Sequence, residues 1–111
     1  MAADLTMIQG DTLALDFAIT DADGAAVDLT GATIRWQMAR SVYAAPDLSK
    51  AVGTGITVTS APGGLFTVML APSDTADITG TFYFEVEIVD ASGNVSTPRT
   101  GEIVISPGLI S

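Results

Sequence analysis

The chain contains no cysteine and no histidine. Without cysteine there is no disulfide framework, thiolate nucleophile or zinc–cysteine site. Without histidine the usual catalytic triads, the usual transition-metal ligands and the side chain best suited to proton transfer near neutral pH are all missing. A hydrolytic or redox enzyme made from this chain works almost entirely with Asp, Glu, Ser, Thr and Tyr. Positive charge is also sparse: Arg35, Arg40, Lys50 and Arg99 stand against thirteen acidic residues, giving a formal net charge of −9. Such a chain repels phosphate backbones, so nucleic-acid binding is not expected. Apolar runs fall far short of the roughly 20 residues a membrane-spanning helix requires. The opening MAADLTMIQG has no basic segment followed by an apolar stretch, so a protein soluble and made in the cytoplasm is expected.

What is present is alternation. Hydrophobic residues make up 48% of 111 positions, enough for one domain over residues 1–111 with its own core. In DTLALDFAIT, Leu13, Leu15, Phe17 and Ile19 alternate with Ala14, Asp16, Ala18 and Thr20, the period of a strand with one wet face. ATIRWQMAR repeats the pattern with Ile34, Trp36 and Met38 inward, and GTFYFEVEIVD with Phe82, Phe84, Val86 and Ile88 inward. ITVTS and LFTVML flank the turn APGG, with Ile56, Val58, Phe66, Val68 and Leu70 as core candidates. LTMI and VSTPRTGEIVIS add further strands, the latter with Ile103 and Ile105 inward and Pro98 at an edge or bulge. DADG and ASGN mark tight turns, and Pro72 followed by Ser-Asp-Thr starts a single helical turn. Residues 41–55 have no clean period and are expected to form a long excursion with a short edge strand near Leu48 to Val52. Seven or eight short strands without an amphipathic helix predict an all-β fold, an antiparallel β-sandwich.

Few residues suggest chemistry. Asp21 and Asp23 in DADG, with Asp90 as a third, offer oxygens to calcium, but the same residues suit a plain tight turn and the EF-hand spacing is absent. Glu85 and Glu87 lie on one strand face, whereas a catalytic carboxylate pair flanks the bond it cleaves, so a solvated face or interface is the simpler reading. Arg35 is placed to pair with Glu85 across neighbouring strands. Trp36 belongs in the core. Tyr83 and Tyr43 are the displayed aromatics, suited to subunit contact or to stacking on a sugar ring, and an outer patch of Tyr83, Val89 and Met69 would favour contact. No metal, cofactor or catalytic residue is assigned. The residues expected to make contacts are Arg40, Tyr43, Lys50, Tyr83, Arg99 and the terminal apolar pair Leu109 and Ile110, for which a frayed terminus is the alternative.

The order of elements from Gln9 to Gly108 adds one further indication. Gly10-Asp11-Thr12, DLTGATIRW with Trp36, the Gly63-Gly64 turn with Phe66, the Asp74-Thr75-Ala76 corner and Gly80 before an aromatic strand follow one another in sequence. In that order the chain resembles small immunoglobulin-like phage virion domains, such as the N-terminal domain of phage upper baseplate proteins. It departs from immunoglobulin domains at Phe82, where their corner tyrosine would stand, and in lacking the cysteine pair. The resemblance implies a non-enzymatic structural protein of a tailed bacteriophage virion, a tail or baseplate accessory or a capsid decoration module. Its expected partners are other virion proteins, met in several copies on a symmetric assembly. The alternative is a carbohydrate-binding module in which Tyr43, Tyr83 and the 41–55 excursion contact a cell-surface glycan.

Overall fold

Period-two alternation becomes strand along almost every apolar segment of the computed structural model, which describes residues 4–109. The elements are β1 (Leu5–Ile8), β2 (Leu13–Ala18), β3 (Thr33–Ala39), β4 (Leu48–Val52), β5 (Gly55–Ser60), β6 (Leu65–Leu70), α1 (Pro72–Thr75), β7 (Gly80–Val89) and β8 (Val95–Ser106). The fold is all-β. The strands form one mixed sheet in the order β1-β8-β7-β3-β4-β5-β6-β2, nearly closing into a barrel.

Two pairings depart from the expected antiparallel pattern. The first is β1 alongside β8, both running the same way, with Leu5 opposite Ile103 and Ile8 opposite Ser106. The second is β4 with β5, joined only at Ala51–Gly55 and Val52–Ile56. Here the chain steps sideways through Gly53 and Thr54 without reversing, because Gly53 (φ 89°) and Gly55 (φ 104°) adopt a left-handed backbone that glycine enters without a Cβ penalty. The strand expected at Leu48 to Val52 is present, but it lies between β3 and β5 instead of at an edge.

Each strand of the core sends alternate side chains inward. Ile34, Trp36 and Met38 of β3 meet Phe82, Phe84, Val86 and Ile88 of β7, while Leu15, Phe17, Phe66 and Val68 approach from β2 and β6. A run of rings joins the two arms. Phe66 stacks on Phe17 at 5.2 Å, Phe17 meets Phe84 at 6.2 Å, and Phe84 stacks on Trp36 at 6.1 Å. Since β2 and β7 share no backbone ladder, the Phe17–Phe84 contact crosses the interior and holds the arms face to face. The indole N–H of Trp36 is the one buried side-chain polar group without a partner among the described residues.

The short helix closes one end. The Thr75 hydroxyl, fully buried, accepts from Gly10 N at 2.9 Å, and the Gln9 amide donates to Ala76 O at 2.8 Å, so α1 is fastened to the β1–β2 turn. At the other end Asp21 and Asp90 each fold a turn. Asp21 Oδ1 accepts from Asp23 N and Ala25 N, and Asp90 Oδ1 from Ser92 N and Asn94 N. Pro98 falls in a bulge of β8, between the pairings Val86–Arg99 and Ile88–Ser96.

Candidate interaction surface

The outer face of the β8-β7-β3-β4 arm is set by the residues that alternate with the core. On β7 these are Tyr83, Glu85 and Glu87; Glu102 of β8 lies opposite Tyr83, and Gln37 of β3 opposite Glu85. All three glutamates of the chain therefore share one face. Glu87 pairs with Arg35, Oε1 to Nη2 at 3.1 Å, because those two are register partners. The expected Arg35–Glu85 pair does not form: β3 is placed two residues further along β7, and Gln37 takes the position opposite Glu85. Glu85 is held from its own strand, where the Tyr83 hydroxyl donates to Oε2 at 2.7 Å. That bond to a carboxylate, with some burial, pushes the Tyr83 phenol above its ordinary value of 10.0.

Above this pair lies the β3–β4 loop. Ser41 shapes it, its carbonyl accepting from Ala44 N at 3.1 Å and its hydroxyl from Tyr43 N at 3.3 Å, and Asp47 N returns to Met38 O at 2.7 Å. The loop turns Tyr43 (95% exposed) and Val42 (61%) to solvent. Between loop and sheet runs an open slot of about 80 Å³ with walls from Met38, Ala39, Val42 and Pro46, while Tyr83 and Glu85 supply its polar side. Chemically the slot is a short channel, apolar along Ala39, Val42, Ala44 and Pro46 and polar along Gln37, Ser41 and Tyr83, with the Glu85 carboxylate at one wall.

The structure thus brings Tyr43 and Tyr83 to one surface and distributes the other expected contact residues elsewhere. Arg40, at the start of the loop, lays its guanidinium over the Phe82 ring at 4.2 Å. Lys50 points inward and binds Asp74 Oδ2 at 2.8 Å, with side-chain exposures of 14% and 16%. The same oxygen accepts from Ala71 N at 2.7 Å, which caps α1. Burial pushes the Asp74 carboxyl up, but the Lys50 ammonium and the Ala71 N–H outweigh it and hold the group below its ordinary 3.8. Arg99 lies 5.4 Å over the Phe17 ring and donates to Ala18 O at 3.4 Å, bridging β8 to β2 where the sheet stays open. Leu109 is fully exposed, and Ile110 lies outside the described residues.

Other expectations resolve by topology. Met69 on β6 is separated from β7 by β3, β4 and β5, so Tyr83, Val89 and Met69 make no joint patch. Among the described residues no group of three or more acidic side chains is gathered to hold a metal ion, and the Oδ1 atoms of Asp21 and Asp90 are already engaged by turn N–H groups. The slot itself, with Val42, Pro46 and Gln37, was missed from sequence. Its only signal there was the aperiodic SVYAAP, in which neighbouring Val and Tyr cannot both face a core across one strand.

No family model matches the chain, and no curated protein matches it.

Proposed function

We propose that this chain is a non-enzymatic structural protein of a tailed bacteriophage particle, a tail or baseplate accessory or a capsid decoration module. It is made in the host cytoplasm and acts through protein–protein contacts. Three features support the reading. The residue order resembles the immunoglobulin-like virion domains. The strand order fits such a sandwich if the two-pair β4–β5 step is taken as the corner between layers: β1-β8-β7-β3-β4 then forms one layer and β5-β6-β2 the other. The observation that carries the proposal furthest is the projecting Val42–Tyr43 loop beside an open slot, since exposed aromatic and apolar side chains at a concavity suit a contact surface. Many copies on a symmetric shell or tube would make individually weak contacts effective.

Quantitative mass spectrometry of purified particles tests this. A few to a few dozen copies (on the order of a symmetric ring) assign the tail or baseplate, hundreds assign the capsid, and absence from particles overturns the proposal. The glycan-binding alternative draws on Tyr43, whose exposed ring is free to stack on a sugar. A glycan array with no signal above background removes it.

A further inference from the structure

We infer that the slot beneath the β3–β4 loop receives a basic side chain, arginine or lysine, from a protein other than a second copy of this chain. The inference rests on the reading of the chain as a contact protein, though not on which particle it joins. The slot has the chemistry of such a side chain in negative. Ala39, Val42, Ala44 and Pro46 match a methylene stem, and Glu85 at the polar wall matches the cationic head. Glu85 has capacity left for it: Oε2 accepts from Tyr83, and among the described residues Oε1 has no partner. Tyr83 fixes the carboxylate in place, so little ordering is needed when a cation arrives.

Among the described residues nothing neutralises this site. Arg35, the cation of the same face, is occupied by Glu87. Among the described residues a second copy offers only Arg40 and Arg99 as cations outside an ion pair. Of the four basic residues, Arg35 and Lys50 are in ion pairs, and Arg40 and Arg99 lie over Phe82 and Phe17. Two copies at −9 each also repel one another at low ionic strength. The occupant is therefore a different, basic protein surface.

The test is a nitrogen-15 chemical-shift titration of the whole protein with N-acetyl-arginine amide, against the neutral isostere N-acetyl-citrulline amide, at fixed ionic strength. Saturable shifts confined to Val42, Ala44, Tyr83 and Glu85 are expected with the arginine derivative. Binding of citrulline is expected to be at least about tenfold weaker, the factor one charge-assisted hydrogen bond supplies. Glu85→Gln, checked for folding by Trp36 emission, abolishes the preference. Equal responses to the two derivatives, or no saturable shift at the slot, overturn the inference. Absence of the protein from particles would remove the virion proposal and leave this titration unaffected.

Discussion

Alanine at position 64 is expected to cost this fold far more than alanine at position 93, although both glycines sit in turns with a left-handed backbone (φ 69° and 89°). The left-handed conformation alone costs a residue bearing Cβ about 1–2 kcal/mol, and this contribution is common to both sites. The difference lies in what the new methyl group meets. At Gly93 nothing lies within 4 Å, whereas at Gly64 the Cβ would stand 2.6 Å from Ile19 O and 2.9 Å from Val27 O. Both are backbone atoms, and they cannot rotate away. The same peptides are tied together, Ile19 N donating to Gly64 O at 2.9 Å and Val27 N to Ile19 O at 3.0 Å. Relief must stretch one or both of these bonds, and each buried group left unsatisfied costs about 1–3 kcal/mol. With one such bond lost the sum is about 2–5 kcal/mol for Gly64→Ala against about 1–2 kcal/mol for Gly93→Ala. Urea unfolding followed through Trp36, the sole and fully buried tryptophan, measures both. If the two variants lie within about 0.5 kcal/mol of each other, the crowding argument is refuted.

Three further outcomes follow from the same geometry. Asp74→Asn is expected to destabilise by about 1–3 kcal/mol at neutral pH, since Lys50 and Ala71 lose a charged acceptor. Because the folded carboxyl lies below 3.8, this contribution is complete above that value and disappears as pH falls through the folded value, so acid unfolding curves of variant and wild type converge. The Tyr83–Glu85 bond behaves oppositely: a phenol raised above 10.0 keeps its contribution below that pH and loses it on further alkalinisation, and ultraviolet titration of Tyr83→Phe will lack the late-ionising component. Trp36→Phe, followed by circular dichroism, is expected to cost less than about 1.5 kcal/mol, because removing an unpaired indole N–H offsets lost packing, whereas Trp36→Ala costs about 3–5 kcal/mol.

How much was legible in advance depended on how local each cause was. Strands such as Leu13–Ala18 and Thr33–Ala39 were readable because alternation is written into adjacent residues. Pro98 at a bulge and Pro72 opening α1 were readable because proline dictates its own backbone. Register was not. A shift of two residues decided whether Arg35 met Glu85 or Glu87, and alternation fixes which face a residue occupies but not its partner across the ladder. The fate of the cations was equally hidden: Lys50 turned inward because α1 brings Asp74 to it from 24 residues away, Arg40 found the Phe82 ring on the neighbouring strand β7, and Arg99 found the Phe17 ring across the arms. Tyr43 and Tyr83 were legible as displayed aromatics, yet the slot beside Tyr83 required the loop geometry set by Ser41 and Asp47.

The parallel alignment of β1 with β8 governs how the domain answers a pull on its two ends. Tension applied at Asp4 and at Ser106 runs along both strands in opposite senses, so the ladder from Leu5–Ile103 to Ile8–Ser106 slides in shear and its bonds share the load. Asp4 N to Glu102 O at 3.1 Å and Gln9 N to Ser106 O at 2.7 Å extend that ladder by one rung at either end. An antiparallel pair there would have peeled open one rung at a time. The domain is accordingly expected to yield in single-molecule stretching only after these rungs rupture together.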